Sequence, residues 1–120
     1  MARTKIDELK FLPLSPQVFQ VLLSLSDKPL HGYAIIQDIR QRTDGDMRLT
    51  PSTLYDALAR LSDQGLIDEV EDAAKPVDAD SRRRSYRLTS LGRDVAEAEA
   101  RRLARLIAMA REKRLLGRRP

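Results

Sequence analysis

The fold of this chain is decided by the stretch TPSTLYDALARLSDQGLI, which runs from Thr50 to Ile67. Thr50 followed by Pro51 predicts a helix start, because a threonine hydroxyl can accept a hydrogen bond from a free backbone N–H and proline fits the first helical position. Gly65 stands where a left-handed residue ends a helix. Between them, leucines recur at helical spacing and predict one buried stripe: Leu54, Leu58 and Leu61. The small hydroxyls and charges on the other side are then free to bind a partner.

Length and composition restrict the classes of protein to which the chain can belong. At 120 residues with 42% apolar residues, we expect one domain with a modest core of aliphatic side chains. The absence of cysteine excludes disulfides, thiolate metal sites and thiol nucleophiles, and a single histidine leaves little for a zinc site. No apolar run approaches the roughly 18 residues of a membrane span, and no signal peptide is recognisable. We therefore expect a cytoplasmic protein with no metal, no cofactor and no membrane partner.

Two further helices are predicted before Thr50. The Ser-Pro pair at 15–16 repeats the pattern of a helix start, and apolar residues at helical spacing then predict a helix over about 16–25. A second helix is expected to open at LHGY (30–33). We expect His31 to cap or pack at this helix start, and Tyr33 to lie in the core with its hydroxyl at the surface.

A β-hairpin is predicted after the third helix. Two short strand-like pieces, LIDEV (66–70) and SYRLT (85–89), are separated by a long polar loop that contains proline. In the second piece Tyr86 and Leu88 share one face, and we expect them to hold the hairpin against the helices.

A last helix is predicted from an N-cap at Thr89 to about Leu116, which is roughly 27 residues or about 40 Å. A helix longer than its domain cannot bury its whole apolar stripe there, so it requires a partner helix, most simply that of a second copy. The residues expected in this homodimer contact are Val95, Leu103, Leu106, Ile107 and Ala110. The basic residues of this helix leave alternatives open: a solvated flank, an additional DNA contact or a membrane-surface segment.

The order of elements is typical of a winged helix-turn-helix, in which the third helix enters the major groove of double-stranded DNA and the hairpin is the wing. The predicted fold class is mainly α with a small β-hairpin, a winged helix-turn-helix followed by one long C-terminal helix. We divide the chain into an N-terminal arm (1–13), a DNA-binding domain (14–89), a dimerisation helix (90–116) and a basic tail (117–120).

The third helix and the wing carry side chains that suit DNA. Free N–H groups and the helix dipole attract phosphate at a helix start, and arginine can reach a phosphate or a guanine edge. For Tyr55 the sequence leaves two alternatives equally open: its hydroxyl contacts a phosphate, or its ring packs against the helices. The acids Asp68, Glu69 and Glu71 either pair with the wing arginines in the free protein or lie away from DNA. The DNA contacts predicted on the helix are Thr50, Ser52, Thr53, Tyr55, Asp56 and Arg60. Those predicted on the wing are Lys75, Arg82, Arg83 and Arg84.

Three blocks of the sequence resemble the PadR family of transcriptional regulators: HGYAI (31–35), LTPSTLYDALARLSDQGLI (49–67) and DSRRRSYRLTSLGR (80–93). The resemblance covers about residues 12–93 and implies a homodimeric winged-helix repressor that dimerises through its C-terminal helix. It also implies control by a small-molecule effector in some members. We place a candidate effector pocket between the first and last helices, around Phe19 and Met109.

Two other classes of function compete with DNA binding. A winged-helix module that binds proteins would carry acidic or apolar side chains on its third helix and wing, whereas this chain carries hydroxyls and arginines. An enzyme would require paired carboxylates, a nucleophile with its base, or a glycine loop that holds phosphate, and the sequence has none of these. The sequence therefore favours a DNA-binding regulator over both.

Overall fold

The computed structural model describes residues 5–71 and 84–117, which form a mainly helical fold with one small antiparallel sheet. Within these ranges no helix combines the length and the apolar content needed to cross a membrane. Helices α2, α3 and α4 and the sheet surround the core, and α5 packs on α1, α2 and β3. In chain order the elements are α1 (Lys5–Leu9), α2 (Pro16–Ser24), β1 (Leu30–His31), α3 (Gly32–Arg42), α4 (Pro51–Asp63), β2 (Ile67–Val70), β3 (Ser85–Leu88) and α5 (Ser90–Glu112).

Helix α4 forms as the opening stretch predicts. The Thr50 hydroxyl accepts a hydrogen bond from the Thr53 N–H at 3.1 Å, and Pro51 is the first helical residue. The leucine stripe is buried against the other helices, each member at most 2% exposed: Leu54, Leu58 and Leu61. Gly65 follows with a φ of +78°, so the chain turns towards β2 through the left-handed conformation that glycine tolerates.

Helices α2 and α3 are joined by both apolar packing and a polar network. Ser15 caps α2, with its hydroxyl accepting from the Val18 N–H at 3.1 Å. At the far end, the Arg42 guanidinium donates to Asp38 at 2.8 Å and to the Ser24 hydroxyl at 2.7 Å. Because Ser24 is buried and these groups satisfy one another, the network fixes the angle between the two helices and leaves none of its own buried polar atoms unpaired.

The sheet has one strand more than the predicted hairpin. Leu30 and His31 are extended and pair with Tyr86 and Ser85 on the outer edge of β3, so α3 begins at Gly32 and not at Leu30. The predicted pairing of β2 with β3 is confirmed, with Ile67 opposite Leu88. The extra pairing satisfies backbone groups of β3 that a two-stranded hairpin would leave at an open edge.

Helix α5 is shorter than predicted and its first half belongs to the core. It ends at Glu112 rather than near Leu116, because Arg114 adopts a φ of +64° and the Leu115 N–H turns back to the Ala110 carbonyl at 2.9 Å. Val95, predicted as a dimer residue, is fully buried among its own domain's side chains. It therefore has no surface for a second copy, and that prediction is corrected.

One carboxylate is buried where α5 passes the N-terminal segment. Glu99 is 1% exposed and accepts a hydrogen bond from the Leu14 N–H at 3.1 Å. The Arg102 guanidinium donates to its two oxygens at 2.6 and 2.9 Å. These hydrogen bonds outweigh the effect of burial and hold the pKa of Glu99 below its usual range. The sequence gives no sign that Glu99 is buried, and the structure makes it an anchor for the chain that leads into α2.

Candidate nucleic-acid interface

The first turn of α4 presents hydroxyl groups at the surface. The Thr50 hydroxyl, besides capping the helix, donates to the Thr53 hydroxyl at 3.0 Å. Ser52 and Thr53 are exposed, and no side chain larger than proline precedes them within the helix. A helix start with small side chains lets an anion come close to backbone N–H groups and to the positive end of the helix dipole. The predicted residues of this turn are thus brought together in one accessible place.

Asp56 and Arg60 are also exposed, one and two turns further along α4. They are four residues apart and lie along one side of the helix. A carboxylate can accept from a cytosine amino group, and a guanidinium can donate to guanine or phosphate. The side of α4 away from the leucine stripe therefore carries groups that could distinguish bases.

Tyr55 packs and is exposed at the same time. Its ring tip lies against the start of α3, such that a Cβ at Gly32 would be 2.7 Å from the tyrosine Cζ. The side chain nevertheless remains 45% exposed. Tyr55 thus holds the beginnings of α3 and α4 next to each other, and its accessible part borders the hydroxyl-bearing turn.

Tyr33 follows Gly32 in the chain, and the prediction that it lies in the core is wrong. It is 70% exposed rather than in the core, and its hydroxyl accepts a hydrogen bond from the Gln37 amide at 2.7 Å. The helical period contained the signal: Ile35 is fully buried, and a residue two positions away points to nearly the opposite side of a helix. Tyr33 and Gln37 therefore form an exposed polar pair on α3, near the helix start against which Tyr55 packs.

The arginines at the base of the wing are paired with acids on the neighbouring strand. Arg84 donates to Glu69 at 2.7 Å, and Arg87 lies 3.8 Å from Asp68. The hydrogen bond to Glu69, and then its negative charge, raise the pKa of the Arg84 guanidinium. Of the two alternatives for these acids, pairing with a wing arginine is thus confirmed for Glu69 and Arg84. Lys75, Arg82 and Arg83 lie outside the described residues.

Tyr86 connects the wing to the core as predicted. It is 9% exposed and stands between Leu30 of β1 and Glu69 of β2. Burial, followed by the nearby charge of Glu69, raises the pKa of its phenol. His31 packs at the same place, with its Nδ1 3.3 Å from the Ser85 hydroxyl, and it does not cap α3 with its side chain.

Two surface cavities adjoin these elements. A shallow one of about 610 Å³ lies along α3 and the turn before α4, lined by residues that include Arg40 and Arg48. A deeper one of about 240 Å³ lies between the N-terminal segment and α4. Neither is lined by Phe19 or Met109, so an effector pocket at those residues stays a prediction. In the part of the chain that the structure describes, no group of three or more His, Asp or Glu side chains is arranged to hold a metal.

Comparison with known proteins identifies one family, together with two relatives that are described as uncharacterised. Residues 21–98 match the sequence profile described as the transcriptional regulator PadR-like family. An uncharacterised 37.1 kDa protein of a Streptomyces fradiae transposon is 43% identical over 86 residues, which is 72% of this chain and 22% of that protein. An uncharacterised protein of Lysinibacillus sphaericus is 32% identical over 77 residues, covering 61% of this chain and 64% of that protein. The chain therefore spans less than two thirds of either relative.

Solved structures share the fold at low sequence identity. A PadR family transcription regulator from Clostridium difficile has a TM-score of 0.67 and 24% identity, covering 79% of this chain and 94% of that one. A PadR-like regulator from Bacillus cereus has the same TM-score with 18% identity, covering 92% and 97%. Bacillus subtilis PadR, crystallised in complex with operator DNA, has a TM-score of 0.59 and 18% identity, covering 88% and 51%. These likenesses support the winged helix and the long C-terminal helix.

Proposed function

The chain belongs to the PadR-like family of transcriptional regulators, and on that basis we propose that it is a homodimeric, sequence-specific repressor that reads double-stranded DNA through α4. The observation that carries the proposal is the exposed first turn of α4, where Ser52 and Thr53 stand beside the free part of Tyr55. This turn would approach a phosphate, while Asp56 and Arg60 would reach base edges in the major groove. The operator complex of Bacillus subtilis PadR supports this use of the fold.

Tyr33 is a further proposed contact with the DNA backbone. Tyr33 is exposed and follows Gly32, the residue against which Tyr55 packs, and the first helix of a helix-turn-helix crosses the DNA backbone. A phenol so placed would donate to a phosphate that flanks the bases read by α4. The hydrogen bond from Gln37 leaves the hydroxyl proton available for this.

Binding to one duplex fragment, compared with a control, tests the function directly. Fluorescence anisotropy would compare the DNA immediately upstream of this protein's own coding sequence with a scrambled duplex, at two salt concentrations. We expect tighter binding to the upstream fragment and weaker binding at the higher salt, because phosphate contacts release counterions. Failure to bind either duplex at low salt would reject the DNA-binding function and favour a protein-interaction module.

The wing is proposed to bind the phosphate backbone or the minor groove through Lys75, Arg82, Arg83 and Arg84. We expect the double variant Arg83→Ala/Arg84→Ala to bind DNA more weakly and with less salt dependence. Four contacts would be lost from a dimer, so the slope of log K against log salt should flatten by about 3.6. Anisotropy titrations at four salt concentrations would measure this slope, and an unchanged slope would show that the wing does not touch phosphate.

The pairing of Arg84 with Glu69 provides a matched variant with the opposite effect. In the free protein this arginine already has an anionic partner, which DNA must displace. Glu69→Gln should therefore raise the affinity by about two- to fivefold, since exposed ion pairs are weak. A decrease in affinity would mean that Glu69 positions Arg84 for DNA instead of competing with it.

Dimerisation is proposed to use the second half of α5. Three large apolar side chains there are 42–55% exposed in one chain: Leu106, Ile107 and Met109. Leu103 and Ala110 are half-buried at the same stripe. Because exposed apolar side chains grouped on one helix mark an interaction surface, a second α5 is the simplest cover for them. Two copies would then place two α4 helices about 34 Å apart, on successive turns of a dyad-symmetric operator.

Ile107→Glu should convert the dimer into a monomer, because two carboxylates would be buried at the symmetric contact. Light scattering after size exclusion should give twice the 13.6 kDa chain mass for the parent protein and the single mass for the variant. Operator affinity should fall at least about tenfold. Ala108→Glu, on the other side of the helix, is the matched control and should remain dimeric. A dimeric Ile107→Glu protein would exclude this face as the contact.

A further inference from the structure

The shallower of the two cavities is a groove between the last turns of α3 and the turn that leads into α4. Its volume is about 610 Å³. The lining residues are Gln37, Arg40, Gln41, Asp44, Gly45 and Arg48. Apart from the glycine, all of these residues are polar and exposed. An open groove of this kind does not enclose a small molecule, and it suits the surface of a large, hydrophilic partner.

Arg48 is held at the groove by the turn itself. The Gly45 N–H donates to the Arg40 carbonyl at 2.8 Å, which closes the end of α3. Gly45 has a φ of +83°, and its carbonyl accepts a hydrogen bond from Nε of Arg48 at 3.2 Å. A guanidinium has five N–H donors, so this bond fixes the side chain and leaves the other donors for a partner.

The groove carries more positive than negative charge. In the part of the chain that the structure describes, the Arg40 side chain has no ion pair or hydrogen bond, and Arg48 has no ion pair. Arg42, two residues further along α3, is instead paired with an acid of its own helix. Among the described lining residues Asp44 is the one acid, and it pairs with neither arginine of the groove. Two cations against one acid favour an anionic partner.

The groove continues the surface that is already proposed to meet the DNA backbone. Tyr33, Gln37 and Arg40 are four and three residues apart, so they lie along one side of α3. Arg48 precedes Thr50, the cap of α4, by two residues. The groove thus begins beside the pair formed by Tyr33 and Gln37 and ends just before the first turn of α4. A DNA strand that follows α3 from Tyr33 towards the start of α4 would pass along it.

From these features we propose that Arg40 and Arg48 together bind one phosphate of the operator, outside the bases read by α4. This inference rests on the proposed function and adds a contact to it. Tyr33 and Arg40 are separated by about 10 Å along the helix. Because the phosphates of one strand follow each other at a rise of about 3.4 Å, the two side chains bind different phosphates. Guanidinium groups bind phosphate through parallel hydrogen bonds, which fix the register of the protein on the duplex without reading its sequence.

The salt dependence of DNA binding by the full chain tests this contact. Fluorescence anisotropy at four salt concentrations would compare the parent protein with Arg40→Gln/Arg48→Gln, on the upstream fragment and on the scrambled duplex. One phosphate contact is lost from each half of a dimer, so the slope of log K against log salt should flatten by about 1.8. The affinities for the two duplexes should both fall by about tenfold, because a phosphate contact carries no sequence preference.

Three further variants are matched controls, with circular dichroism of each to verify that it is folded. Arg40→Lys/Arg48→Lys keeps both charges and should retain the parental slope. Arg101→Gln/Arg105→Gln removes the same charge from exposed positions on α5 and should also retain that slope. Asp44→Asn removes the acid of the groove and should raise the affinity about two- to threefold. Asparagine tolerates the φ of +52° at this position, so the turn is preserved.

The outcomes separate the contact from the proposed function. A flattened slope in Arg40→Gln/Arg48→Gln alone, with an unchanged preference for the upstream fragment, supports the contact. A parental slope in that variant rejects it and leaves the groove available for an acidic protein segment. Equal flattening in the α5 variant, or a loss of affinity for the upstream fragment only, also rejects it, since net charge or base reading then explains the effect. All of these results leave DNA binding in place, whereas a parent protein that binds neither duplex rejects the proposed function and the contact together.

Discussion

Glu99→Ala should lower the free energy of unfolding by about 3 kcal/mol, because removing one partner of a buried ion pair leaves the others unsatisfied. In the variant, the Leu14 N–H and two guanidinium N–H groups of Arg102 lose their acceptor. The Arg102 side chain is 31% exposed and can regain some hydration, which places the loss at the lower end of the range known for buried pairs. Urea denaturation at equal protein concentration would measure the change.

The matched control is Glu97→Ala, two residues earlier on the same helix and exposed to solvent. It should alter the free energy of unfolding by less than about 0.5 kcal/mol. If both variants lower the free energy of unfolding equally, the effect comes from removing a negative charge from the helix. The contacts of Glu99 with Leu14 and Arg102 then add no stability of their own.

Glu99 also predicts a pH dependence with a definite sign. Its pKa in the folded protein is lower than the ordinary 4.5, so the unfolded chain takes up a proton more readily. The stabilisation is therefore complete at neutral pH, begins to fall as the pH approaches 4.5, and disappears below the folded pKa. Glu99→Gln should be less stable at neutral pH, and its deficit should narrow on acidification. A deficit that stays constant from neutral pH to about pH 3 would contradict this.

Gly92→Ala should cost about 3 kcal/mol although alanine favours helices. Gly92 lies in the first turn of α5, and a Cβ there would collide with the carbonyl oxygen of Leu66 and lie 2.9 Å from the Leu66 carbonyl carbon. The obstacle is backbone, so either α5 or the start of β2 must shift. The gain of about 1 kcal/mol in helix propensity does not offset this.

Urea denaturation would again give the free energy of unfolding, and Gly117→Ala provides the control. A Cβ at Gly117 meets no atom of the described structure within 4 Å, so that variant should match the parent protein. Parental stability in the Gly92→Ala variant would show that the contact between α5 and Leu66 relaxes freely. The variant should also bind the operator more weakly, because a shift of α5 would change the orientation of the two copies in the proposed dimer.

Local signals in the sequence predicted most of the helical framework. Thr50 with Pro51, and Ser15 with Pro16, marked helix starts that the structure confirms, because a cap and a first-turn proline act within a few residues. The leucine stripe of α4 and the alternation in β3 were equally informative. They report which side of one element is buried, and that can be read without knowledge of the partner.

The features that the sequence did not reveal depend on contacts between distant residues. Strand β1 has two residues and exists only because Tyr86 and Ser85, far later in the chain, offer it an edge. Glu99 is buried because Leu14, 85 residues away, donates to it. The length of α5 was overestimated because a left-handed arginine, rather than glycine, follows the helix. At the candidate interface, the helical spacing of the leucines correctly predicted which residues of α4 are exposed. The prediction for Tyr33 was wrong because an aromatic residue was assumed to lie in the core.

Thr89 has a consequence for how such a protein would evolve. Its backbone N–H and hydroxyl donate to the Leu66 and Gly65 carbonyls at 3.1 and 2.7 Å, and its hydroxyl also accepts from Gly92. The end of α4 and the start of α5 are therefore joined directly at this residue. In the proposed dimer, one residue inserted after Arg102, beyond the core half of α5, would rotate the outer apolar face of the helix by about 100° relative to the core and reorient both α4 helices. Because Thr89 fixes the first half of α5 to the end of α4, changes in the second half of α5 would alter the operator spacing. Changes on the outer face of α4 would alter the operator sequence that is read.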